Sequence, residues 1–187
     1  MPPRHIAFYG RKGVGTTTVV ANLSAALAEA GHRVAQIGCD GGDSTVSLRH
    51  GKAAPALLPT LRRRADVRLA EVAVKGYKGI LCLEIGVPEG RGELKKGFAL
   101  AGELLAAEAS AVEFILYDLG GESGEVVAPL LEAAPVERVV AVSTADAVSL
   151  RAVNELFDLI GGPAEQALCG GIIGNLLPGP YAEAVID

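Results

Sequence analysis

Apolar residues along the chain fall into short continuous runs separated by longer stretches with helical spacing. Six runs read as buried strands: Ile6 to Tyr9, Arg33 to Gly38, Gly79 to Glu84, Glu113 to Asp118, Glu137 to Ser143 and Cys169 to Gly174. Val19, Val20, Leu23, Ala26, Leu27 and Ala30 recur at helical spacing, and Gly31 ends that helix as a left-handed cap. Further helices are predicted from Asp66 to Val74, from Phe98 to Ser110, beyond Gly124 to about Ala134, and from Asp146 to Ile160. The last has Val148, Leu150, Val153, Leu156, Phe157 and Ile160 on its inner face. Leu48 to Lys78 is otherwise less regular and is broken by Pro55 and Pro59; Cys39 to Thr45, Gly86 to Gly97 and Asn175 to Pro180 read as loops. Strands alternating with helices predict an α/β fold, a parallel sheet flanked by helices on both faces. No repeat or linker interrupts residues 1–187, so a single domain is expected. In open sheets of this kind ligands bind beyond the carboxyl ends of the strands.

Composition narrows the function classes. The chain has 187 residues, half of them hydrophobic and 21% charged, as in a globular protein with a sizeable core. A net charge of −5 argues against a dedicated nucleic-acid binder. No apolar run approaches the ~20 residues that cross a bilayer, so no membrane association is expected. The N-terminus leads directly into a strand without a signal peptide, and three cysteines have no paired spacing. Both features predict a cytoplasmic protein. Cys39, Cys82 and Cys169 lie in or beside apolar strands and read as small buried hydrophobes. His5, His32 and His50 have no metal-ligand spacing. Arg62-Arg63-Arg64 is either a solvated face or a contact for an acidic partner.

The chemistry-bearing stretch is Gly10-Arg11-Lys12-Gly13-Val14-Gly15-Thr16-Thr17-Thr18, between the first strand and the first helix. Strand, glycine-rich turn and helix form the setting of a P-loop, where backbone N–H groups and the helix N-terminus hold phosphate oxygens. The pattern G-x-x-x-x-G-K-[ST] fits at Gly10, Gly15 and Thr17 but fails at the lysine, where Thr16 stands. A charge-assisted hydrogen bond contributes roughly 1.5–3 kcal/mol, so this loss predicts about ten- to a hundredfold weaker nucleotide binding. Hydrolysis should suffer more, because the lysine acts where charge develops. The three threonines are either a hydroxyl-rich helix start or an anion site with Thr17 on Mg²⁺. Asp40 and Asp43 are either turn residues or vestigial switch residues.

Taken together, these residues resemble the nitrogenase iron protein family, including the iron-protein subunits of the dark-operative protochlorophyllide and chlorophyllide reductases. The resemblance rests on Phe8-Tyr9-Gly10, Gly13-Val14-Gly15, Thr17-Thr18, Asn22 to Glu29, Gly38-Cys39-Asp40 and Asp43-Ser44-Thr45. Gly76 to Ile80 through Glu84, Pro88-Glu89, Tyr117-Asp118 and Asn175 continue it. It implies a homodimer with Mg-ATP or Mg-ADP at the subunit interface, a 4Fe–4S cluster shared between subunits, and electron transfer to a partner reductase. It further implies Asp118 on the metal side, Asn175 beside adenine, and Asp40, Asp43 and Glu122 as the switch carboxylates. Arg11 stands at the family's second loop lysine, where charge is kept but not geometry.

The departures fall on the chemistry. The segments that should carry the cluster thiolates read Glu93-Leu94-Lys95-Lys96 and Glu122-Ser123-Gly124-Glu125, and no iron–sulfur cluster is expected. The family continues past the Asn175 loop with a further strand and helices, so this chain is expected to lack that C-terminal portion. Two function classes follow. One is a pseudoenzyme that keeps the fold as a partner-binding or regulatory module, with weak or absent ATP hydrolysis and a reductase-like or other protein partner. The other is a cluster-free ATP-binding dimerisation switch resembling the partition and septum-site ATPases.

Overall fold

The computed structural model describes residues 2–39, 41–64, 66–108, 112–121, 124–161 and 168–176. Seven strands among them form one sheet: β1 (Arg4–Arg11), β2 (Val34–Gly38), β3 (Ala73–Lys75), β4 (Leu81–Glu84), β5 (Phe114–Gly121), β6 (Arg138–Ser143) and β7 (Cys169–Gly174). Their spatial order is β3-β4-β2-β5-β1-β6-β7, and every neighbouring pair is parallel except β3 with β4. Six α-helices cover it: α1 (Thr16–Glu29), α2 (Leu57–Arg63), α3 (Leu69–Val72), α4 (Arg91–Glu108), α5 (Val127–Ala133) and α6 (Ala147–Ile160).

The pleat of β1 divides the core. Ala7 and Tyr9 face the cluster built with α2 to α6, whereas Phe8 packs with Val14, Val20 and Leu116 under α1. A buried bond from Ser24 Oγ to Gln36 Oε1, 2.7 Å, ties α1 to β2. The register that places the site is β1 on β5, with Phe8 opposite Asp118, Gly10 opposite Gly120 and Arg11 opposite Gly121. The glycine-rich turn therefore begins beside the carboxylate that ends the predicted fourth strand.

Several boundaries differ from expectation, each for a local reason. The helix expected from Asp66 to Val74 shrinks to one turn at α3, and Ala73–Lys75 becomes the antiparallel edge strand β3. Three residues are too few to carry a strand period. Tyr77–Gly79 is a 3-10 turn, so the next strand begins at Leu81. Pro59 starts a helix rather than breaking one: it sits in the first turn of α2, where a missing N–H is tolerated.

Helix α4 begins at Arg91, inside the expected loop, because Glu93 reaches back to the Glu89 N–H at 2.6 Å. Its glycine at 97 serves packing, since a Cβ there would lie 2.8 Å from Leu58 Cδ2. In α6, Asp146 caps the N-terminus by accepting from the Val148 and Ser149 N–H groups. Val148 and Leu150 lie outside, and the inner face is Ala152, Val153, Leu156 and Ile160. Cys39 and Cys82 are buried as expected, but Cys169 is exposed on the edge strand β7. Gly31 is left-handed at φ 93° and follows α1 as its expected cap.

Candidate functional site

The turn from β1 into α1 has the shape of an anion cradle. Gly13 and Gly15 take left-handed φ values of 92° and 89°, conformations that only glycine adopts without strain. Val14 N donates to Arg11 O at 3.2 Å, and Val19 N donates to Gly15 O at 3.0 Å as α1 begins. Gly10 is needed for close approach, because a Cβ there would lie 2.7 Å from the Val142 carbonyl oxygen and 2.8 Å from Val14 Cγ2.

Thr16 occupies the position of the P-loop lysine. Its side chain is turned inward against Gly10, it is buried, and Oγ1 has no hydrogen-bond partner. A cleft of about 720 Å³ opens over the turn, lined by Arg11, Lys12, Gly13, Gly15, Thr16 and Thr17 on one side and by Gly41, Gly42, Gly120 and Gly121 on the other. Thr18 is exposed on the first turn of α1, away from the buried Thr16.

Thr17 and Asp118 converge. A Cβ on Gly120 would sit 3.3 Å from Asp118 Oδ1 and 3.8 Å from Thr17 Oγ1, so hydroxyl and carboxylate look onto one point beside the cleft. Asp118 is fully buried and accepts from the Gly120 N–H at 3.2 Å. A hydroxyl and a carboxylate are the hard oxygen donors that Mg²⁺ takes, and these two fit it. Asn175 is anchored by its N–H to Ser143 O at 2.8 Å, and its side-chain amide donates to Val14 O at 2.8 Å. It thus clamps the turn itself, and a Cβ at Gly15 would lie 2.3 Å from that amide nitrogen. Asp40 and Glu122 lie outside the described residues.

Asp43 is committed elsewhere. Its carboxylate pairs with Arg49, whose side chain is fully buried and donates from Nε to Thr45 Oγ1 at 2.9 Å. Glu84 completes the network: it accepts from the Thr45 N–H at 2.8 Å and the Thr45 hydroxyl at 2.6 Å, and lies 3.9 Å from Arg49 Nη2. Sequence reading missed this network because Arg49 lies in an aperiodic stretch. The available signal was a glutamate closing the apolar run Ile80 to Leu83.

A second cleft of about 810 Å³ adjoins the first through Gly41, Gly120 and Gly121 and is bordered by Val87, Arg91 and Leu94. Here the first cluster segment reads as carboxylate rather than thiolate. Glu93 takes two bonds from Arg62, Nε to Oε1 and Nη2 to Oε2, both 2.6 Å, and Arg62 also donates to Val87 O at 2.9 Å. Neither buried cysteine nor exposed Cys169 stands on this segment, so its donors do not fit a thiolate-held cluster. Of the arginine triplet, Arg62 therefore holds Glu93 and Arg64 holds Glu71, while Arg63 is exposed.

The Arg62 guanidinium, helped by the Glu89 N–H, pulls the Glu93 carboxyl down to about 2 from 4.5. A depressed carboxylate contributes stability above its unfolded value and loses it as pH falls through about 2, so the clamp should hold throughout the neutral range. Carbon-detected NMR titration should find Glu93 near 2 in the native chain and closer to its ordinary 4.5 in Arg62→Gln. An unchanged value in the variant would show that Arg62 is not the cause.

Similarity to known proteins agrees with this geometry. Residues 4–177 match the family described as "4Fe-4S iron sulfur cluster binding proteins, NifH/frxC family". Nitrogenase iron protein 2 of Paenibacillus durus is 38% identical over 194 aligned positions, covering 98% of this chain and 66% of that protein. The nitrogenase iron protein of Methanospirillum hungatei is 34% identical, covering 98% and 69%. The chain thus spans about two thirds of the length of these relatives. Among solved structures, the MinD cell division protein of Aquifex aeolicus superposes with a TM-score of 0.70 at 20% identity, covering 97% of this chain and 73% of that one. Cobyrinic acid a,c-diamide synthase of Mycobacterium smegmatis, solved with an ATP analog and magnesium, gives 0.69 at 23% identity, covering 94% and 74%. At those identities the structures establish the shared α/β fold alone. The chain belongs to the NifH/frxC family.

Proposed function

We propose that this chain is a cluster-free member of its family, a partner-binding or regulatory module whose P-loop hydrolyses ATP weakly or not at all. The observation that carries this reading is Thr16: its side chain is buried against Gly10, and no ammonium group extends from that position over the cradle. Without that cation, charge developing during phosphoryl transfer loses a major stabiliser. The carboxylate–guanidinium clamp at Glu93 supports the loss of the cluster, because it occupies the segment where the family places a thiolate. On this reading the chain is one domain, cytoplasmic and homodimeric, and its output is a protein contact rather than an electron. Asp40, Asp43 and Glu122 would then be vestiges of the switch machinery.

A second reading, an ATP-binding dimerisation switch, is favoured by the intact turn. Gly13 and Gly15 hold their left-handed conformations, Arg11 and Lys12 line the cleft, and Thr17 and Asp118 converge beside it. Mg²⁺ held there would neutralise phosphate charge, while Arg11 and Lys12 attract the nucleotide and the loop N–H groups orient it.

Calorimetric titration with Mg-ATP and Mg-ADP, with mass in solution and phosphate release followed together, separates the readings. Weak or undetectable binding, an unchanged mass and no turnover support the module. Micromolar binding with a nucleotide-dependent mass favours the switch. Sustained turnover at the pace of an ordinary ATPase contradicts both.

A further inference from the structure

At the opposite edge of the sheet from the glycine-rich turn lies a cavity of about 540 Å³ between the amino end of β1, helix α4 and the end of α5. Its walls are mainly apolar, with Pro3, Leu105, Ala106, Ile115 and Pro135 prominent, and a pocket of this size suits a small molecule. One polar ring enters those walls. His5 is 5% exposed, and its Nδ1 lies 2.9 Å from the hydroxyl of fully buried Tyr117. That bond turns Nδ1 toward β5 and leaves Nε2, which has no partner among the described residues, as the polar atom the ring offers to the cavity. An imidazole nitrogen on the wall of an otherwise apolar cavity offers a ligand one directional hydrogen bond.

We propose that this cavity binds a neutral, flat, mostly apolar molecule carrying one hydroxyl, which bonds to His5 Nε2. A hydroxyl suits either tautomer, because it can donate to a bare nitrogen or accept from an N–H. Charge decides against an anion. Glu103 stands exposed on the cavity rim, and Glu137 acts on His5 from beyond β1. Burial also lowers the His5 pKa, which keeps the ring neutral near pH 7 and removes the cation that a carboxylate would seek.

The test uses 2-naphthol, naphthalene and 2-naphthoate, with binding read by probe fluorescence and by the imidazole nitrogen resonances of His5. 2-Naphthol should bind saturably and move the Nε2 resonance. Naphthalene, identical in shape but without the hydroxyl, should bind roughly three- to tenfold more weakly. 2-Naphthoate should bind more weakly than 2-naphthol and gain in Glu103→Gln. His5→Phe should abolish the preference for 2-naphthol over naphthalene; if that variant fails to fold, the resonance shift in the native chain still decides. No saturable binding, equal binding of 2-naphthol and naphthalene, or a preference for 2-naphthoate would overturn the proposal.

Discussion

Arg49→Met is expected to destabilise the protein by about 3–5 kcal/mol, the usual effect of breaking a buried ion pair from one side. The Arg49 side chain is fully buried and Glu84 nearly so, at 4% side-chain exposure. Removing the guanidinium leaves the Glu84 carboxylate with its two Thr45 bonds but without its buried counter-charge. For a domain of this size the melting temperature should fall by roughly 6–20 °C. The double variant Arg49→Met/Glu84→Gln should recover more than half of that loss, since a neutral amide can still accept from Thr45. The native network is itself imperfect, because Arg49 Nη1 has no partner, and replacing both charges is therefore the milder change. Thermal unfolding of the native chain and the two variants measures this directly. A single variant melting within about a degree of the native chain would mean that the network contributes nothing.

Thr16→Lys is expected to raise Mg-ATP affinity about ten- to a hundredfold, from roughly 1.5–3 kcal/mol of charge-assisted bonding. Thr16 lines the cleft over the turn, into which a longer side chain can extend once it turns away from Gly10. The native hydroxyl has no partner to lose. The gain should be larger for ATP than for ADP, because a lysine here reaches the β- and γ-phosphates. Calorimetric titration of native and variant protein side by side measures it. An unchanged affinity would place the defect beyond the turn, in the segments around Asp43 and Gly120.

The sequence made the frame legible because its strands are short, apolar and bounded by glycine. Ile6 to Tyr9 and Glu113 to Asp118 had to lie inside a sheet, and they pair in register. The glycine-rich turn was equally plain, since a strand, three glycines in the nine residues from Gly10 to Thr18 and a helix leave few alternatives. What escaped was set by tertiary contact. Ala73–Lys75 becomes a strand only because β4 offers it an edge, and α4 starts at Arg91 only because Glu93 folds back onto Glu89. Val148 and Leu150 fit a helical period yet are exposed, because α6 packs on the core through Ala152, Val153, Leu156 and Ile160. In the site, Thr16, Thr17 and Asp118 were readable from motif positions. The partners of Asp43, Glu93 and His5 were not: Arg49, Arg62 and Tyr117 stand 6, 31 and 112 residues away. No local pattern announces such pairs.

The measurement that bears most directly on the central claim is anaerobic reconstitution of the purified protein with ferrous iron and sulfide, followed by desalting and determination of iron and acid-labile sulfide. With Glu93 held by Arg62 where the family places a thiolate, both should fall to background after desalting. Retention of four irons and four sulfides per pair of chains, the stoichiometry of one shared four-iron cluster, would contradict the account and return the chain to electron transfer.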